Sequence, residues 1–174
     1  MKFLMTLFLL TPLFPVAFAQ DDGTIWRQAN EKELAALIPP RAQVEKERIE
    51  TELRSASGVT DGKGHFVAGV LLITAGYSAH GKYTHFFITK TAIKIGDAKM
   101  KPGEYVYGYR RLDDDNLEFV FYEAATGTQV GTAKAARESR VGPIRSLLIT
   151  PPVKGKGSLQ IGRFACEYSL EKEK

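Results

Sequence analysis

The chain has 174 residues, 24 Lys and Arg against 20 Asp and Glu, and one cysteine. That length suits one domain with a real core and sets aside multi-domain schemes. A lone cysteine excludes an internal disulfide framework, and acids and bases interleaved at a formal net charge of +4 exclude the clustered basic face of a nucleic-acid binder.

Met1 and Lys2 precede an apolar stretch over residues 3–10, and Ala17-Phe18-Ala19 closes the segment before Gln20. A positive start, an apolar middle and an A-x-A site predict a cleavable signal peptide over residues 1–19. A membrane helix needs about 20 apolar residues, whereas Pro12 and Pro15 interrupt this segment and Asp21-Asp22 follow it. The expectation is an exported protein, periplasmic or secreted, with no transmembrane span after cleavage. Neither Asn30 nor Asn116 begins a glycosylation sequon, which together with the missing disulfides tilts the reading toward a bacterial origin.

Residues 20–43 read as a linker and one short N-terminal helix. Asn30 and Glu33 form a capping box, Leu34, Leu37 and Ile38 share a face, and Pro39-Pro40 end the helix. Trp26 is a candidate anchor for this segment.

Residues 44–170 read as a single antiparallel β domain, followed by a charged tail over 171–174. Alternation over residues 48–56 predicts a half-wet strand, and the glycines at 58, 62 and 64 around Asp61 predict a turn. Residues 66–74 form a nearly all-apolar strand and 76–82 a connection. Residues 83–95 alternate as one bent strand or two, with Tyr83, His85, Phe87, Thr89 and Thr91 on one face. Strands follow over 104–111, 117–122 and 128–135, then a polar loop over 136–143. Two last strands, 144–150 and 159–170, flank Pro151-Pro152 and a basic turn at 154–157. Eight to nine short strands predict a mainly β fold, an antiparallel β-sandwich or small β-barrel. Charges on both faces of several strands argue against an outer-membrane barrel.

Three features carry candidate chemistry. Tyr105, Tyr107 and Tyr109 form a row at period two, either a stacking platform if exposed or core if inward, and the inward reading is favoured. Gly108, opposite that row, marks a close backbone or ligand approach. The face of Tyr83, His85, Phe87 and Thr89 could line a ligand cavity. His65, His80 and His85 fall short of a zinc pattern, the Asp113-Asp114-Asp115-Asn116 run reads as a turn former, and Cys166 reads as a buried structural thiol. No G-x-S-x-G elbow, H-E-x-x-H pair, P-loop or dinucleotide fingerprint is present.

The expected function is therefore a non-catalytic binding module for a protein, a glycan or a small apolar ligand, or an envelope-associated structural module that docks through its helix. No metal or other cofactor is expected. The alternative is an enzyme without a familiar motif that uses His80 or His85 with a carboxylate such as Asp113 or Glu123.

Overall fold

A computed structural model describes residues 25–139 and 143–171. The expected signal peptide and all but the first residue of the charged tail lie outside the described residues.

The helix forms where its caps predict. α1 spans Glu31–Leu37, with the Glu33 amide donating to Asn30 Oδ1 at 3.0 Å and the Asn30 amide donating to Glu33 Oε2 at 2.9 Å. Arg27 adds a two-pronged ion pair to Glu33, at 2.8 and 2.7 Å.

The strands are β1 (Arg27–Gln28), β2 (Arg41–Val44), β3 (Glu47–Thr60), β4 (Phe66–Leu72), β5 (His85–Thr89), β6 (Ile93–Ile95), β7 (Ala98–Met100), β8 (Gly103–Arg111), β9 (Asn116–Glu123), β10 (Gln129–Arg137), β11 (Arg145–Ile149), β12 (Lys156–Gly162) and β13 (Phe164–Leu170). Among the described residues they form one curled antiparallel sheet of 13 strands in the order β1-β3-β4-β5-β8-β9-β10-β13-β12-β11, with β2, β6 and β7 branching from it. The result is a half-barrel. This corrects the expected sandwich or small barrel of eight to nine strands.

The extra strands have local causes. β1 and β2 fall in the stretch read as linker and helix, because two and four residues are too short to show a period. The terminal stretch 159–170 is a hairpin rather than one strand: it turns at Gly162-Arg163 and pairs Ile161 with Phe164. Leu159, Ile161, Cys166 and Tyr168 all belong to one core cluster, so the apolar pattern continues across the turn. Residues 83–95 contain only β5 and β6, separated by a turn at 90–92.

Two buried clusters lie on opposite faces of β4, β5 and β8. Val67, Phe87, Tyr105 and Tyr107 join the inner cluster with Phe119, Phe121, Leu147 and Tyr168. Ala68, Val70, Phe86, Ile88 and Val106 join the outer cluster with Leu34, Ile38, Val44, Ile49 and Tyr83. The helix thus buries Leu34 on the sheet, Leu37 packs partly against the same cluster, and Trp26 packs against the inner one. Gly58 lies within β3 rather than in a turn. A Cβ there would stand 2.7 Å from the Ala68 Cβ and 2.9 Å from Leu34 Cδ2, so its bare backbone lets the helix seat.

The end strand β11 lies against β3 and β4. Between Glu52 and Ser57 the register of β3 slips, so that residues 53–56 stand opposite Val70 alone. The bulge aims the buried Ser57 hydroxyl at the seam, where it accepts from the Ile149 amide at 2.9 Å and from Gln28 Nε2 at 3.2 Å. Among the described residues no ladder joins β11 to β3, so Ser57 stands in for one.

Ser57→Ala would leave the buried Ile149 N–H without an acceptor, a loss of about 1–3 kcal/mol. The expected result is a lower urea midpoint with an unchanged m-value and faster hydrogen exchange at Ile149. An unchanged midpoint would mean that Ser57 does not hold the seam.

Candidate functional site

The residues leading into β5 are held by three carboxylates from the β2–β3 hairpin. Glu45 accepts from the Tyr83 hydroxyl at 2.5 Å and from Lys82 Nζ at 2.9 Å. Glu47 accepts from the Ser78 amide at 3.1 Å and its hydroxyl at 2.6 Å. Glu50 accepts from the Tyr77 hydroxyl at 2.5 Å and pairs with Arg41 at 3.2 Å. The Lys82 ammonium also lies over the rings of Tyr83, at 4.6 Å, and Tyr122, at 5.4 Å. The Tyr83 hydroxyl, then Lys82, hold the Glu45 carboxyl below its ordinary value, and the Tyr77 hydroxyl does the same for Glu50.

This clasp sets where the alternation begins. The Lys82 carbonyl occupies the space that a side chain at residue 108 would need, so the chain crosses β8 at Gly108 by direct backbone approach. Tyr83 accordingly turns into the outer cluster, while Phe87 faces the inner one. The single face read across 83–95 is broken before His85.

His85 is 1% exposed and pairs in register with Tyr107. Their rings stack at 4.8 Å with an interplanar angle of 8°, and Tyr109 lies 6.5 Å from the imidazole. His85 Nδ1 is 2.8 Å from the Thr84 hydroxyl, which itself lies 3.2 Å from the Tyr107 carbonyl. Burial pushes the imidazole down to about 4, with the Ser146 backbone opposing part of the shift. The Tyr107 hydroxyl is buried without a hydrogen-bond partner among the described residues, and His85 Nε2 has none of good geometry, the Ser146 backbone being the one polar group that acts on the ring from that side. Burial also raises the Tyr107 phenol well above its ordinary value.

The tyrosine row is core at two positions and surface at the third. Tyr105 is 7% exposed and donates to the Lys101 carbonyl at 2.8 Å. Tyr107 is enclosed by Phe87, Phe119 and Phe121 at ring separations of 6.3, 5.9 and 5.2 Å. Tyr109 is 45% exposed and leans on Phe119 at 6.3 Å. Thr89 lies at the other end of β5, fully buried, with its hydroxyl on the Thr91 carbonyl at 2.6 Å.

At the Tyr109 end of the half-barrel, β4 and β8 finish while β5 and β11 begin. Ile73 follows β4, Leu112 follows β8, Ile144 precedes β11 and Leu53 sits in the β3 bulge. With Tyr109 these make five of the seven exposed large apolar side chains among the described residues, the others being Ile25 and Val153. At this end His85 stacks on Tyr107 and lies beside Tyr109. Sequence reasoning named the three aromatics and missed the exposed apolar side chains, because Ile73, Leu112 and Ile144 lie at strand ends where no periodicity marks a face.

The other candidates do not join them. His80 lies exposed in the turn before Lys82. Asp113 closes the β8–β9 turn by accepting from the Asp115 amide and the Asn116 amide group, and Glu123 accepts from Thr126. The one histidine–carboxylate contact among the described residues is His65 Nδ1 with Asp61 Oδ2 at 2.6 Å. That pair ties the β3–β4 turn, where Asp61 also accepts from the Lys63 and His65 amides. Cys166 is buried, and burial pushes its thiol up to about 12, so it is no thiolate at neutral pH. It borders a depression of about 340 Å³ lined also by Lys94, Lys134 and Glu167, at the split where β10 and β6 leave β13. Among the described residues no three His, Cys, Asp or Glu side chains gather as a metal would require, and no helix is long and apolar enough to cross a membrane. Compared with known proteins, the chain shows no significant match to a family model, a curated protein or a solved structure.

Because Glu45 and Glu50 titrate below a free glutamate, at about 4.3, their contacts contribute stability that is present above that value and lost as pH falls through the depressed ones. Hydrogen exchange over residues 77–83, corrected for intrinsic rates, is expected to rise on acidification before that of β8. Parallel loss in both segments would show that the clasp does not open by itself.

Proposed function

We propose that this chain is an exported, non-catalytic binding module whose ligand site is the end of the half-barrel where His85, Tyr107 and Tyr109 meet the exposed Ile73 and Ile144. The observation that carries this reading is the buried Tyr107 hydroxyl, left without a partner among the described residues in the row that surfaces at Tyr109. Such an atom costs about 1–3 kcal/mol when unpaired, and natural proteins concentrate such costs at functional sites. An exposed apolar cluster is likewise a common mark of a binding surface.

The exposed Ile73 and Ile144 favour a small, largely apolar ligand over a glycan. A sugar platform needs exposed rings, and of the row only Tyr109 is exposed. Tyr83, Phe87, Thr89 and Tyr105 serve this site as scaffold. His85 is a poor general base, because burial lowers the basicity of its imidazole and its contacts are aromatic rings, a hydroxyl and the Ser146 backbone rather than a carboxylate. Export rests on the signal peptide read over residues 1–19.

One mass measurement addresses both parts. Protein purified from the organism that encodes it is expected to have a denatured mass corresponding to a chain that begins at Gln20. Its native mass should carry an additional small molecule, and Tyr109→Ser with Ile73→Ser should reduce that adduct. A chain that retains residues 1–19 would overturn export by cleavage, and a bare native mass would overturn a tightly held ligand.

A further inference from the structure

We propose that the depression between β6, β10 and β13 is a second binding site, for the phosphate group of a monoester, with Lys94 and Lys134 as its cationic walls and Ser169 as a hydroxyl donor. It shares no residue with the Tyr109 end of the half-barrel and does not depend on a ligand binding there.

Strand register builds the site. Ile93, Ile95, Ala98 and Met100 all enter the inner cluster, so the residues between them, Lys94 on β6 and Lys99 on β7, face outward. Lys94 stands directly opposite Lys99 on one side and opposite Ser169 of β13 on the other, and Ser169 stands opposite Lys156 of β12. Directly opposed residues share a face with Cβ atoms about 5 Å apart, so one transverse row carries Lys99, Lys94, Ser169 and Lys156. Lys134 faces the same way from β10, between the buried Ala133 and Ala135. Among the described residues β13 pairs with β10 only through Phe164 and Ala165, and with β6 only from Tyr168 onward. The gap left at Cys166 and Glu167 is a depression of about 340 Å³, whose lining includes Lys94, Gly96, Lys134, Glu167 and Ser169. The turn after β6 fixes its width. Gly96, at φ +60°, lies so close to Thr132 and Ala133 that a Cβ there would collide, and the Asp97 amide donates to the Thr132 carbonyl at 3.0 Å.

The charge of this face is uncompensated. Lys94, Lys99 and Lys134 form no ion pair among the described residues. The carboxylates around them are engaged elsewhere: Glu167 holds Lys156 at 2.8 Å, and Glu118, opposite Lys134, holds Arg110 at 2.6 Å. Asp97 accepts from the Thr132 amide, and Asp113, which feels the Lys134 charge, accepts from Asn116 and the Asp115 amide. Like charges directly opposite on a ladder are destabilising, so the Lys94 and Lys99 pair carries a cost that a bound anion would relieve. Two free ammoniums on facing walls call for two negative charges on one small group. A phosphate monoester supplies them near neutral pH, whereas a carboxylate supplies one. Lysine meets such a group as a point charge from any direction, and the Ser169 hydroxyl can donate to a further oxygen.

Chemical-shift titration of the full mature chain with glycerol 3-phosphate, and with acetate at matched ionic strength, tests the proposal. Glycerol 3-phosphate is expected to shift the Gly96, Glu167 and Ser169 amides and to bind more tightly than acetate. Lys94→Gln and Lys134→Gln should each weaken it about fivefold, the scale of one solvent-exposed charge pair, while Lys63→Gln, in the β3–β4 turn, should leave it unchanged. Without ligand, Lys94→Gln should raise the thermal midpoint, because it removes the repulsion with Lys99. Absence of shifts at these amides, or equal affinity in the Lys94 and Lys134 variants, would overturn the site. Acetate binding as tightly as the phosphate would overturn the need for a dianion. A lower midpoint in Lys94→Gln would overturn the opposed lysines as a strained, ligand-relieved pair. Sedimentation with phosphatidylcholine vesicles that contain phosphatidic acid, lost in Lys94→Gln, would place the phosphate on a lipid head, and failure to sediment would place it on a soluble ester.

Discussion

Burial of β4, β5 and β8 on both faces is the constraint on which the rest of the molecule depends. Val67 and Phe87 enter the inner cluster while their neighbours Ala68, Phe86 and Ile88 enter the outer one. A sheet with two apolar faces needs two covers. The inner face is covered by the sheet's own curl, which brings Phe119, Leu147 and Tyr168 back over it. The outer face is covered by α1, β2 and the connection over residues 73–84, and neither the helix nor this connection would be stable detached from the sheet.

That second layer explains the polar clasp. The connection has few apolar side chains of its own, so Tyr77, Ser78, Lys82 and Tyr83 are tied by Glu45, Glu47 and Glu50 at a hairpin tip that the sheet already holds. Such pairs contribute little individually when exposed to solvent. Their role is placement: they determine that Tyr83 packs outward and that β5 starts at His85, which in turn brings the imidazole over Tyr107.

The inner curl explains the site. A half-barrel whose middle is filled by Phe87, Tyr107, Phe119 and Phe121 has no room for a deep cavity among those rings, so recognition shifts to an end. There the row of tyrosines leaves the core between Tyr107 and Tyr109, and strand ends leave Ile73 and Ile144 uncovered. Stacked, buried rings and an unpaired phenol beside exposed apolar side chains combine a rigid base with a wet margin, an arrangement suited to pre-organised binding.

The sequence by itself determined the elements whose information is local. The capping box of α1, the apolar run of β4, the strand at β9 and the buried setting of Cys166 all follow from spacing and residue type, whereas spacing left open which way the row of Tyr105, Tyr107 and Tyr109 faces. Tertiary structure alone decided the rest. Two-residue β1 and three-residue β7 carry no readable period and exist because a neighbour offers a ladder. The hairpin at Gly162-Arg163 hides inside one apolar alternation. Tyr83 parts from His85 because the Lys82 backbone must cross at Gly108, a contact between residues 26 apart in the chain. The placement of His85, Tyr109, Ile73 and Ile144 at one end depends on the order of strands across the curled sheet, and pairing order is set by the total burial of two faces rather than by any single segment.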